Sequence, residues 1–295
     1  MNQLNHQEKQ ALYRLWKEEE AATFTGWDFS HLNGRCQDGE LPWDYESMAR
    51  SLLCPEKELL DMGTGGGEFL LTLGHPGEHT TVTEGYPPNV QLCRQRLEPL
   101  GIRVVEACGE DPLPLESERF DVILNRHEDF RAEEIFRLLK PGGVFLTQQV
   151  GGQNDNDLSR VLIPGFVPQY PHHTLANNRR LLEEAGLVIR EAKEHFSPIR
   201  FFDVGALVYF AKILPWEFPG FTVDGCLETL FRWKRSAAGT VFWKGQSTAF
   251  CCWRKNGNRL LYYIEREVYR WQGKATVTAV PVMCLMTSMA ITGAT

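Results

Sequence analysis

Residues 59–73 read LLDMGTGGGEFLLTL. A short apolar run meets an acid, then four glycines in five residues, then a second apolar run. Glycine loses more conformational entropy on folding than any other residue and weakens helices and strands alike. So dense a cluster between two packed segments marks a place where the backbone turns sharply or approaches a ligand closely.

Outward from this loop, the pattern alternates. LLDM reads as a strand and EFLLTL as a helix. TTVTE, IRVVEA, FDVILN and VFLTQQV read as further strands, with NVQLCRQRLEPL and AEEIFRLLK as helices between them. This rhythm predicts an α/β fold, a doubly wound, mostly parallel sheet with helices on both faces. Beyond it, LANNRRLLEEAG predicts a helix closing on Gly186, LVIREAKEH a strand, and FDVGALVYFAKIL an apolar helix stopped by Pro215. DGCLETLFRWK predicts one more helix, and the polar, Pro-rich QNDNDLSRVLIPGFVPQYPHH a loop over one face. Residues 4–21 carry a helical apolar stripe, and Asp44 is a candidate N-cap for a helix in LPWDYESMARSLL. Trp27, Trp43 and Tyr45 lie in the aromatic stretch between them, placed to fold over a ligand. The expected organisation is an N-terminal helical and aromatic lid over 1–50, a core domain over 51–236, and an aberrant tail over 237–295.

Composition is that of an ordinary globular protein, 43% hydrophobic and 23% charged, with a formal net charge of -7. That balance argues against a broad nucleic-acid surface, which carries a basic excess. No stretch resembles a signal peptide or approaches the ~18 apolar residues of a membrane span, so a cytoplasmic protein is expected. The eight cysteines form no CxxC pair and read as reduced thiols filling the core.

A glycine-rich turn after the first strand of a doubly wound sheet lies at the carboxyl edge, where such folds bind ligands. The dinucleotide fingerprint GxGxxG fails here: counted from Gly63, the sixth position is Glu68, which would repel a pyrophosphate. No GK[ST] follows, which excludes a P-loop. Asp61, two residues before the first glycine, suits an ammonium group. Glu84, ending the next strand about 20 residues on, stands where such folds put an acid on ribose hydroxyls. S-adenosylmethionine carries both features and no phosphate.

DMGTGGGEF, Glu84, FDVILNRH and LLKPGGVFLTQQV resemble the successive motifs of class I S-adenosylmethionine-dependent methyltransferases, over about residues 55–215. FTGWDFS, LPWDY, NRHEDF, TQQVGG and DVGALVYFAKILPW also resemble a group of bacterial methyltransferase-domain proteins. The resemblance implies a Rossmann-like fold and methyl transfer, with Asp61, Gly63 and Thr64 at the methionine end and Gly65 and Gly67 admitting the cofactor. It implies Glu84 on the ribose. The family's Asp-Ala pair at the adenine is absent here; Ala-Cys-Gly-Glu-Asp-Pro stands instead, with Glu110 or Asp111 as substitutes.

Asn125 and His127 follow the fourth strand, on the side facing the methyl group. Methyl transfer is a displacement in which the enzyme mostly aligns the nucleophile. His127 is the candidate general base and Asn125 a contact to cofactor or substrate. Gln148 and Gln149 end the next strand, and alternation turns one of them toward the pocket. His172 and His173 have no Cys or acid at ligand spacing, so no metal is expected. The expected acceptor is a small molecule, with RNA as the second reading and cofactor binding without catalysis as a third; NAD-dependent chemistry is disfavoured by Glu68.

The tail raises a separate question. Methyltransferases of this class close their sheet with an apolar strand, yet the chain reads STAFCCWRKNGNRLLYY. Read from the third base of each codon, Cys251, Cys252 and Trp253 each become Leu whatever codons encode them. With permissible codons, the text from Thr240 reads HGILEGPKHRFLLLAQK. A single-nucleotide shift near 236–239 is therefore expected, with a sheet lacking its proper last strand and residues beyond it never selected to pack here.

Overall fold

The computed structural model describes residues 4–24, 29–109 and 111–235, and the backbone of 241–254. Asn5 opens α1 (His6–Ala21) through a capping box with Glu8. A short strand, β1 (Cys36–Asp38), precedes α2 (Tyr45–Leu52), which Asp44 caps by accepting from the Ser47 N–H. The alternating unit then runs β2 (Leu59–Met62), α3 (Glu68–Leu73), β3 (Thr80–Glu84), α4 (Pro87–Arg96), β4 (Arg103–Glu106), β5 (Phe120–Arg126), α5 (Ala132–Leu138) and β6 (Leu139–Val150). After it come α6 (Asn156–Leu162), α7 (Leu175–Glu184), β7 (Leu187–Phe201), α8 (Val204–Ile213), α9 (Val223–Arg235) and β8 (Val241–Arg254).

The strands form one sheet in the order β1-β7-β8-β6-β5-β2-β3-β4. Five neighbours, β6, β5, β2, β3 and β4, are parallel, and β8 is antiparallel to both β6 and β7. From β2 the chain steps outward to β3 and β4, then returns to β5 on the opposite side of β2. The crevice between the carboxyl ends of β2 and β5 is thus the topological switch point, where open α/β sheets take their ligands.

Three expectations from sequence are corrected. The N-terminal helix is no lid: α1 packs on α8 and α9, with Trp16 buried against Phe231 in the same apolar cluster as Leu207 and Phe218. The Pro-rich loop after β6 contains α6, whose Leu158 and Leu162, one turn apart, join that cluster. The sheet also does not lack its last strand. β8 pairs with β6 from Val144↔Trp253 to Val150↔Ser247 and with β7 along most of its length. β6 and β7 each present a row of backbone groups toward this slot, and a strand between them satisfies both ladders whatever side chains it carries. The rest of the expected aberrant tail, 255–295, lies outside the described residues, as do Trp27 and Glu110.

Candidate functional site

The glycine cluster takes the conformations that only glycine adopts freely. Gly63, Gly65 and Gly67 have φ of 62°, 65° and 81°. At Gly63 there is a second reason: a Cβ there would lie 2.5 Å from the Cβ of Glu128. The turn is pinned by Thr64 N–H donating to the Thr83 carbonyl at 3.1 Å and Gly67 N–H to the Thr64 carbonyl at 3.1 Å. Helix α4 grips it from below, Cys93 Sγ donating to the Gly65 carbonyl at 3.0 Å and Arg96 to the Gly66 carbonyl at 3.2 Å. Cys93 is therefore more than core filler. Arg96 also pairs with Glu68, offsetting part of the charge that argued against a phosphate.

Glu84 ends β3, 6% exposed, with Oε2 accepting from Gly65 N–H at 2.8 Å and Oε1 from Tyr86 N–H at 2.9 Å. Each oxygen keeps a lone pair for a further donor. Asp61, 5% exposed near the end of β2, has no salt bridge among the described residues. Burial pushes its carboxyl up to about 6, against the opposing influence of Thr64 and Arg126, while Glu84 adds to the rise. A buried acid without a direct ion pair suits an incoming ammonium. Asn125 is fully buried; its Oδ1 accepts from Thr147 at 2.8 Å and Gln149 at 2.5 Å, whereas its Nδ2 has no hydrogen-bond partner. Positive-φ glycines, an acid with free lone pairs, an uncompensated buried carboxyl and an orphaned donor fit an amino-acid-linked nucleoside. Glu128 bridges the same crevice, packing on Gly63 and accepting from Gly109 N–H at 3.0 Å.

His127 directly follows β5 in a left-handed conformation, φ 66°, with its N–H donating to the Gln148 carbonyl at 2.9 Å. Trp43 Nε1 donates to Gln148 Oε1 at 2.9 Å, which fixes that amide and turns its Nε2 toward His127 Nε2, 3.4 Å away. The imidazole therefore presents an acceptor at Nε2 and carries its proton on Nδ1. Protein atoms around the ring, and then the Arg126 charge, hold it below the ordinary histidine range. Tyr45, which sequence placed in a lid, instead donates to the Asn125 or Leu146 carbonyl and accepts from Asn125 N–H at 3.2 Å, tying β5 to β6.

A cavity of about 180 Å³ opens beside His127, walled by Gln149, the 166–173 loop and the Trp216–Glu217 turn. Sequence reading turned one of Gln148 and Gln149 toward this space but missed Asp129, two residues after His127, and Tyr170, Trp216 and Glu217, which arrive from loops distant in the chain. A larger, open groove of about 510 Å³ between residues 112–116 and α5 holds none of the expected site residues, and its Glu134 and Arg137 are paired with each other. No three His, Cys, Asp or Glu gather as a metal cluster among the described residues. Of the described cysteines, Cys93 and Cys226 are buried and Cys36 is half-buried, whereas Cys54 and Cys108 are exposed and do not fill the core as expected.

The sheet order, the switch-point crevice and the glycine loop together define a class I methyltransferase fold. Residues 60–147 match the family described as the methyltransferase domain. Among solved structures, a candidate methyltransferase from Bacillus halodurans C-125 is 19% identical, covering 72% of this chain and 99% of its own, at a TM-score of 0.51. The YcgJ protein from Bacillus subtilis is 17% identical over 72% of this chain and 98% of its own, also at 0.51. A functionally unknown protein from Deinococcus radiodurans R1 is 15% identical over 85% of this chain and all of its own (100%), at 0.51. At such identities the likeness carries the fold alone. No curated protein sequence matches the chain. Residues 60–147 thus carry a methyltransferase domain, set in a class I methyltransferase fold. No helix among the described residues is long and apolar enough to cross a membrane.

Proposed function

We propose that this enzyme moves a methyl group from S-adenosylmethionine to a small molecule seated in the cavity beside His127. When bound, the cofactor supplies an electrophilic methyl on a sulfonium centre. Asp61 would hold its ammonium group, Glu84 its ribose hydroxyls, and Gly63, Thr64, Gly65 and Gly67 its close approach. The observation that carries the reading is the position of His127 between this crevice and the cavity: one wall is shared by cofactor site and acceptor site. His127 Nε2 takes the proton that the acceptor gives up, its lone pair leaving the long 3.4 Å contact with the Gln148 amide that Trp43 orients. A small acceptor is favoured over RNA because no Lys or Arg lines the cavity. The test is incubation of the purified protein with methyl-labelled S-adenosylmethionine and separated cell fractions. Label in the small-molecule fraction supports the reading; label confined to RNA transfers it to the second reading.

A further inference from the structure

The charged and aromatic lining of the cavity narrows the acceptor. Its ionisable carboxylates are Asp129 and Glu217, and none of its lining residues is Lys or Arg. Phe166, Tyr170 and Trp216 supply ring surface around the same space. Behind Glu217 lies Asp155, 2% exposed and in a left-handed conformation at φ 50°. One neutral amide serves both acids: Asn154 Nδ2 donates to Asp155 Oδ2 at 3.0 Å and to Glu217 Oε1 at 3.4 Å. Asp155 Oδ1 has no hydrogen-bond partner. The wall thus holds two carboxyl groups and no Lys or Arg, with a buried acid behind it whose Oδ1 lacks a donor, a condition that is costly unless a cation or donor arrives.

We infer that this cavity takes a small amine, which enters as its ammonium cation and is seated by Glu217 and Asp129 against the rings of Phe166, Tyr170 and Trp216. An ammonium group offers up to three N–H donors to the two carboxyl groups, and its charge is attracted to aromatic faces. A carboxylate or phosphate guest would meet Asp129 and Glu217 with no Lys or Arg to pair with it, whereas an ammonium would favour the ionised form of Glu217, whose carboxyl burial pushes up to about 7. The volume, about 180 Å³, suits a guest of one ring or less. The amine also gives His127 a defined task. The N–H bond breaks, the proton goes to His127 Nε2, and the electron pair stays on nitrogen as the nucleophile. This inference rests on the methyl-transfer reading above.

The test is isothermal titration of benzylamine, benzyl alcohol and benzoate, each into the protein alone and into the protein saturated with S-adenosylhomocysteine. Benzylamine should bind at least about 10-fold more tightly than the alcohol, and benzoate should not bind. Glu217→Gln, checked for an unchanged melting temperature, should weaken benzylamine about 10-fold while leaving S-adenosylhomocysteine affinity intact; Asp129→Asn is the second variant should the first fail to fold. Equal binding of the alcohol or of benzoate, absence of benzylamine binding, or benzylamine binding unaffected in the folded variants would overturn the inference. Failure of S-adenosylhomocysteine to bind strikes the cofactor reading instead, and the titrations into the protein alone still decide the amine.

Discussion

The carboxylate of Glu84 and the backbone N–H of Gly65 are joined by a hydrogen bond of 2.8 Å, which ties the end of β3 to the middle of the glycine turn. The other Glu84 oxygen holds Tyr86 N–H. One side chain therefore shapes the loop and, in the proposed reading, would also hold the ribose hydroxyls. Hydrogen bonds to charged groups contribute about 1.5–3 kcal/mol each. Glu84→Ala should weaken S-adenosylhomocysteine binding roughly 10- to 100-fold and lower the melting temperature. Calorimetry and thermal denaturation read the two effects separately, and an unchanged affinity would remove Glu84 from the cofactor site.

Asp61 supplies a pH dependence. Burial raises its carboxyl from 3.8 to about 6 in the folded chain. In the free protein the protonated form is favoured, so this group's stabilising contribution is complete below pH 3.8 and is lost as pH rises through about 6. An ammonium partner demands the ionised form. Affinity for S-adenosylhomocysteine should therefore climb with pH up to about 6 and level off above it, and Asp61→Asn should flatten the profile. Titrations at pH 5, 6, 7 and 8 check the slope.

His127 is tested best by asparagine, which tolerates the left-handed backbone found there better than alanine does. His127→Asn should cut turnover by about 10²-fold, with cofactor affinity and melting temperature nearly unchanged. If affinity and stability fall with turnover, the residue only pins the loop.

Tyr45→Phe removes a buried hydroxyl that bridges β5 and β6 and leaves Asn125 N–H without its partner. The expected cost is about 1–3 kcal/mol, the usual penalty for an orphaned buried group. Chemical denaturation should show the midpoint falling with no change in slope.

What the sequence made legible was local or periodic. The turn from Asp61 to Gly67, the acid at Glu84, and the alternation from β2 to β6 are each written within a few residues. β1 was not, because three residues at a sheet edge carry no periodic signal and owe their state to pairing with β7. α6 was hidden by the prolines that follow it. The cavity beside His127 was invisible because it joins the residues after β5, the 166–173 loop and Trp216–Glu217 across long sequence separations. The N-terminal segment misled in a different way. Its aromatic residues suggested a lid, but Trp16 buries in the core while Trp43 and Tyr45 brace the sheet edge by hydrogen bonds. At the closing strand, side-chain pattern argued against pairing, whereas backbone hydrogen-bonding demand on both sides brings β8 into the slot.

The central claim is that the switch-point crevice takes S-adenosylmethionine, and it is tested most directly by calorimetric titration of the purified protein with S-adenosylhomocysteine and, in parallel, with NAD. The account predicts one equivalent of S-adenosylhomocysteine bound, with no heat from NAD. NAD bound and S-adenosylhomocysteine unbound would contradict it.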